Sequence, residues 1–170
     1  MSTTARKPGD EARATVSVAL PPAEAFRVFT QEVDRWWRRG RRFRNAPGER
    51  GIVCIEAGVG GRLFESFDTA GGERVVEIGR VLAWQPPQRL LMSWRAVNFA
   101  DGETTEVEVL FRERRSVDGP GTEVTVIHRG WAAIRADHPV RHGHNVPAFI
   151  RTMGLWWGDQ LTALRLRSQG

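Results

Sequence analysis

The sequence predicts an α+β domain, a curved antiparallel β-sheet wrapped around a long C-terminal helix, with two short helices after the first strand. Three observations predict it. From residue 51 to residue 128 apolar side chains recur with period two in segments broken by Gly, Pro and Asp turns, as in a run of antiparallel strands. From residue 146 the spacing changes to three and four, as along one face of a helix. One helix covers only part of the face that such a sheet must bury, and strongly twisted antiparallel sheets curl, so the economical arrangement has the sheet grip the helix. Such a grip leaves room for a cavity between the two.

Taken in order, residues 14–20 alternate, with Val16 and Val18 on one face, and form the first strand, which Pro21-Pro22 ends. Proline is accepted in a first helical turn, whose N–H groups have no intrahelical partner. Phe26, Phe29, Val33 and Trp36 or Trp37 then fall at helical spacing, closing near Gly40, and a loop follows to residue 49. Ile52, Val53 and Ile55 begin the meander. Its strands at 62–67, 75–84 and 90–94 are separated by Gly60-Gly61, Gly71-Gly72 and Pro86-Pro87. Thr105, Val107, Val109 and Phe111 share one strand face, and Val124, Val126 and His128 another, with a turn at 118–121 between them.

Val146, Phe149, Ile150, Met153, Trp156, Trp157, Leu161 and Leu164 mark the final helix, with Asn145 as its cap and Pro147 in its first turn. Phe149, Met153, Trp156 and Trp157 are expected to be buried against Val107, Val109 and Val126. Gly154 and Gly158 each cost about 1 kcal/mol against alanine inside a helix. A kink or a close approach on that face is the expected reason for them.

At 170 residues the chain suits one domain, with residues 1–12 as a disordered tail and 13–170 as the domain. A single cysteine, Cys54, excludes an internal disulfide framework and a Cys-rich zinc site. No apolar run approaches the roughly 20 residues of a membrane span, and the N-terminus lacks an apolar signal segment, so a cytoplasmic protein of bacterial type with no membrane partner is expected. The net charge is +5, and Lys7 is the only lysine. That usage fits a GC-rich coding sequence in which arginine serves wherever a cation is tolerated. Arg35, Arg38, Arg39, Arg41, Arg42 and Arg44 form one dense basic run. It reads as a solvated turn, with an anion-binding patch as the alternative. A single turn offers no element shaped to enter a groove, so nucleic acid is not expected as a partner.

Several segments fall in a recognisable order: Pro22-x3-Phe26-x2-Phe29-Thr30 with Trp36-Trp37, then Gly60-Gly61-Arg62-x-Phe64-Glu65, then Gly79-x-Val81-x2-Trp84-x-Pro86-Pro87-x-Arg89-Leu90-x3-Trp94. Gly121-Thr122-x-Val124, His128-x-Gly130-Trp131 and the Trp-rich final helix complete the series, which covers residues 14–166. In order and spacing it resembles the SRPBCC superfamily, also called START or birch-pollen-allergen-like, and within it the bacterial homologues of the activator of heat-shock protein ATPase, C-terminal-domain type. The resemblance implies the helix-grip fold and a pocket more than a reaction. Members bind lipids, polyketides, hormones or other apolar molecules; some are cyclases or dehydratases, and others are co-chaperones. Fold alone does not fix function.

The seven tryptophans are read either as core packing or as the wall of such a pocket. Two Trp-Trp pairs cannot both point fully inward, which places at least one indole at an entrance or an interface. The expected ligand-binding set is Trp37, Trp84, Trp94, Phe111, His128, Trp131, Met153 and Trp157. His128, on an inward face, is either a hydrogen-bonded core residue or a general acid–base group. Glu65, Glu77, Arg80 and Arg95 read as outward charges on the solvated side of the sheet, or else as inward pairs that orient a polar ligand group. His138, His142 and His144 beside Asp137 have metal-like composition but no regular frame, and read as a loop at the cavity mouth; no metal or cofactor is expected. Cys54 reads as a small buried hydrophobe. The sequence therefore favours a module that binds a small apolar or amphipathic molecule. The alternatives are an enzyme of the cyclase or hydrolase type acting in the same cavity, and a co-chaperone-like interaction domain. A homodimer is the expected form of any assembly.

Overall fold

Period-two burial builds the sheet. The computed structural model describes residues 10–47, 51–95, 103–131 and 146–169. Its elements are β1 (Glu11–Val18), α1 (Pro22–Gln31), α2 (Val33–Trp36), β2 (Ile52–Ile55), β3 (Arg62–Thr69), β4 (Gly72–Gln85), β5 (Arg89–Trp94), β6 (Thr105–Ser116), β7 (Gly119–Arg129) and α3 (Val146–Ser168). The seven strands form one antiparallel sheet in the order β1-β7-β6-β5-β4-β3-β2, so β1 returns to pair with the last strand. This is the curled sheet and gripped C-terminal helix that the sequence predicts. The first strand runs Glu11–Val18 rather than 14–20, and Ala12, which pairs with His128, is buried.

The inward face carries Val107, Val109 and Phe111 of β6, Val124, Val126 and His128 of β7, and Leu90, Met92 and Trp94 of β5. Two approaches between strands explain glycines of the recognised segments. A Cβ on Gly79 would run into the carbonyl oxygen of Ser93 on β5, and one on Gly61 into that of Glu56, so only a residue without a side chain lets these backbones close.

Pro22 at the first position of α1 and the spacing of Ala25, Phe26, Val28 and Phe29 give that helix one buried face. A break at Glu32 starts α2, and the Trp36 indole N–H donates to the carbonyl oxygens of Val28, which also accepts from the Glu32 amide, and Phe29, each at 3.2 Å, near the end of α1. Trp36 and Trp37 are both buried, and of the two adjacent pairs it is Trp156-Trp157 that leaves one indole, Trp156, only half-buried. Trp37 leaves the helix with extended backbone (φ −61°, ψ 120°), and this turns its ring inward beside its neighbour's.

α3 buries Phe149, Trp157, Leu161 and Leu164, each contributing about 1.5–3 kcal/mol for an aliphatic or phenyl side chain fully removed from water. Met153 and Trp156 are half-buried rather than covered by the sheet. The helix runs without interruption through both internal glycines. A Cβ on Gly154 would meet the Arg13 carbonyl at an ordinary 3.8 Å, and one on Gly158 would meet nothing within 4 Å, so no close approach among the described residues requires either glycine. Gly158→Ala is therefore expected to stabilise the fold by about 0.5–1 kcal/mol. Thermal unfolding should show a Tm about 1–4 °C higher, and an unchanged or lower Tm would contradict this reading of α3.

Candidate functional site

The cavity lies where three elements fail to close on one another. The first three turns of α3 present Phe149, Thr152, Met153 and Trp156 on one face. The sheet contributes Ile78 of β4, Trp94 at the end of β5 with Arg95 after it, and Trp131 just past β7. The third wall is the turn after α2, with Trp37, Phe43, Asn45 and the arginines 41, 42 and 44. The volume is about 570 Å3, within the usual range for a small-molecule site.

The turn is held in place by indoles and one glutamine. Trp37 Nε1 donates to the Phe43 carbonyl at 3.0 Å, and Trp156 Nε1 to the Arg42 carbonyl at 2.8 Å. The Arg38 amide donates to Gln160 Oε1 at 2.9 Å, and Arg42 pairs with Asp159 at 2.7 Å, both acceptors being on α3. Trp37 and Trp156 thus present apolar ring surface to the cavity while their one polar atom is spent on the scaffold. The rings support one another: Trp37 and Trp94 stack at 5.9 Å and 23°, and Trp156 stands edge-on to Trp37 at 5.8 Å and to Trp94 at 6.1 Å. Trp131 meets Phe149 edge-on at 4.7 Å.

Arg44 corrects the reading of the basic run as a solvated turn. Its side chain is 1 % exposed, and it donates to Asp34 Oδ1 at 2.6 Å and to the carbonyl oxygens of Trp37, Gly51, Asp34 and Arg38 at 2.6–3.2 Å. Arg35, Arg38, Arg39, Arg41 and Arg42 are exposed, as expected. Glu65 is likewise inward: it is fully buried, and its carboxylate accepts from the Asn45 and Ala46 amides at 2.6 and 2.8 Å, so backbone amides rather than an arginine satisfy it. Together Arg44 and Glu65 fix both ends of the cavity wall at 44–46. Glu77 and Arg80 pair with each other on the exposed side of the sheet, as read from the sequence.

His128 stands behind the cavity and does not line it. It is fully buried beneath Trp131, with ring centroids 4.4 Å apart. Trp157 Nε1 can only donate, so Nδ1 of His128, 3.1 Å away, is the acceptor. Nε2 then carries the proton and donates to Thr105 Oγ1 at 2.8 Å, and that hydroxyl donates to the Trp94 carbonyl at 3.1 Å. Burial, with a smaller contribution from the charge of Arg129, pushes the imidazole down to about 3. The ring is neutral with both nitrogens engaged, which fits the structural reading and leaves no nitrogen for general acid–base work.

Of the residues expected at a ligand, the structure brings Trp37, Trp94, Trp131 and Met153 together around the cavity. Trp84, Phe111, His128 and Trp157 do not line it. Trp84 and Phe111 pack on Phe26 of α1, at 5.0 and 5.1 Å, because α1 covers that end of the sheet. Trp157 points past the cavity to His128. Trp156, Phe149, Phe43, Ile78 and the arginines were not in the expected set. Cys54 is half-buried, and burial followed by the nearby Glu56 carboxylate raises its thiol pKa, which leaves it a poor nucleophile. His138, His142, His144, Asp137 and Asn145 lie outside the described residues.

No curated protein matches the chain. Solved structures do, over nearly their full length. Protein CV1439 from Chromobacterium violaceum is 18% identical, with 95% of this chain and 99% of that one covered and a TM-score of 0.57. The Aha1 dimer from Colwellia psychrerythraea is 15% identical, with 91% and 92% covered and a TM-score of 0.54. The anthrahydroquino-γ-pyrone synthase Txn09 is 28% identical, with 94% and 98% covered and a TM-score of 0.54. Residues 19–153 match the sequence pattern of one family, and the chain belongs to it: activator of Hsp90 ATPase homolog 1-like protein.

Proposed function

We propose that this protein binds one small, flat apolar or amphipathic molecule between the indoles of Trp37, Trp94, Trp131 and Trp156. The observation that carries the reading is the cavity itself: about 570 Å3, walled largely by aromatic rings, with the N–H groups of Trp37 and Trp156 already serving the scaffold. Such walls offer stacking and little polar discrimination, which suits a planar, mostly apolar guest.

The enzyme reading has one supporting observation, the 28% identity to Txn09, a synthase. Against it, arginine is the only titratable side chain among the described residues that line the cavity. Acid–base chemistry needs a group whose proton moves near neutral pH, and arginine does not supply one. Binding is therefore the reading the geometry supports best.

A neutral apolar dye, N-phenyl-1-naphthylamine, tests it. Titration should give saturable quenching of tryptophan emission at one site per chain, because the wall indoles lie in contact range of anything that fills the cavity. A linear, unsaturable response would contradict the proposal and favour the interaction-domain reading.

A further inference from the structure

The turn that walls the cavity is built from behind, by groups that do not line it. Glu65, on the inward face of β3, is fully buried. Its carboxylate accepts from two successive backbone N–H groups, those of Asn45 at 2.6 Å and Ala46 at 2.8 Å. Gly51, just before β2, closes the space on another side. A Cβ there would run into the Glu65 carboxylate and come within 2.9 Å of the Ala46 side chain. The Gly51 carbonyl in turn accepts from Arg44 at 2.8 Å. Arg44 and Ala46 are buried, while Asn45 between them is exposed and lines the cavity. At a position that shares the parity of Leu63 and Phe67, an apolar side chain would fill the core without the cost of burying a carboxylate. What the carboxylate adds is two acceptor oxygens on one rigid plane, matched to two consecutive donors.

We propose that Glu65 is a positioning residue of the binding cavity: it sets the wall at Asn45 and Ala46, and through them holds Arg41, Arg42 and Phe43 where a ligand meets them, without touching the ligand itself. This rests on the binding reading above and names the residue that pre-organises the site. The turn's contacts with α3 through Arg42, from Trp156 Nε1 to its carbonyl and from its guanidinium to Asp159, are exposed, so water competes for them. Glu65 lies out of reach of water, where hydrogen bonds are stronger and an unmet donor costs more. When the wall loosens, only the fraction of molecules that keeps it in place can bind, and the apparent affinity falls by that fraction.

The test is Glu65→Gln in the full chain, which keeps the volume but turns an N–H2 group toward one of the two N–H donors. Leu90→Ala, a core truncation on β5 that does not line the cavity, controls for lost stability. Each variant is assayed at a temperature where circular dichroism shows it folded. Titrated with N-phenyl-1-naphthylamine, Glu65→Gln should bind at least about tenfold more weakly than the native chain, the result of a competent fraction near one tenth. Leu90→Ala should bind like the native chain. Proton–nitrogen spectra supply a local readout. The indole N–H signals of Trp37 and Trp156, whose acceptors are the Phe43 and Arg42 carbonyls of the turn, should move in Glu65→Gln and stay in Leu90→Ala. The Trp157 indole, bonded to His128, should stay in Glu65→Gln. Native affinity in a folded Glu65→Gln would overturn the proposal and leave the binding site standing. An equal loss of affinity in Leu90→Ala would also overturn it, by assigning the effect to a general loosening of the core. If Glu65→Gln does not fold, the native chain decides: the Asn45 and Ala46 amides should exchange with solvent as slowly as the β3 amides paired with β4, and fast exchange would overturn the proposal. A native chain that binds no dye overturns the binding reading and this proposal with it.

Discussion

Replacing Arg44 by methionine is expected to destabilise the protein by about 3–5 kcal/mol, the range for breaking a buried ion pair by removing one partner. The volume is nearly kept, so the loss comes from polarity. Asp34 Oδ1 and the carbonyl oxygens of Asp34, Trp37, Arg38 and Gly51 would lose a shared donor at a position where the side chain is 1 % exposed. Asp34 would keep the Val53 amide, at 2.9 Å, and the Arg39 guanidinium, at 3.6 Å. The expected consequence reaches the cavity, because the same guanidinium ties the segment before α2's end to the one that leads into β2. Urea denaturation measures the cost, with Arg41→Met as the comparison, expected within about 0.5 kcal/mol of the native chain because it is exposed. Similar losses for both variants would contradict the distinction between the two arginines.

The second large effect is acid sensitivity from His128. An ordinary histidine titrates near 6.5, and burial pushes this one down to about 3, so between those values the unfolded chain holds a proton that the folded chain lacks. Stability rises with pH wherever the unfolded state binds more protons. The contribution is therefore intact above pH 6.5 and is lost as pH falls toward 3, at about 1.4 kcal/mol per pH unit. Between pH 6.5 and 5 ordinary carboxylates stay ionised in both states, so the window isolates imidazole. Comparison with His128→Gln removes the contribution of His138, His142 and His144. Glutamine retains one acceptor for Trp157 and one donor for Thr105, and the native chain should lose stability more steeply than this variant over the window. Parallel curves would show that His128 is protonated in the fold, contrary to the hydrogen-bond chain that runs from Trp157 to Trp94.

The sheet and α3 were legible because burial follows the same periods as the sequence. β6 shows it most clearly: Thr105, Val107, Val109 and Phe111 alternate in the chain and are the buried positions in the structure. Alternation also carried a signal that was read the wrong way. Leu63, Glu65 and Phe67 share a parity, and all three are buried, so the inward carboxylate of Glu65 was available from β3 alone. Period reports which face a residue takes, not where along that face the helices lie. Trp84 and Phe111 are consequently core under α1, while Trp94, further round the curl, faces open space. On α3 the stripe Phe149, Met153, Trp156 would have named the cavity wall, since Trp157 lies one position, or about 100°, further round the helix. The turn that carries Phe43 and the arginines has no periodicity. Its path is set by Gly40, whose φ is +101°, by hydrogen bonds donated by Trp37 and Trp156, and by one that Gln160, 122 positions away, accepts from the Arg38 amide.

The most direct test of the cavity as a binding site is to fill it. Met153→Trp places an indole in the space from a half-buried helical position, and Leu155→Trp places the same side chain on the exposed side of the same helix. Calorimetric titration of the native chain and both variants with N-phenyl-1-naphthylamine is the measurement, with each Tm recorded to show that the variants fold. The expected result is one site per chain in the native protein and in Leu155→Trp, and an affinity at least about tenfold weaker in Met153→Trp, a loss of some 1.4 kcal/mol. Equal affinity in a folded Met153→Trp would place the dye elsewhere and contradict the assignment of this cavity as the binding site.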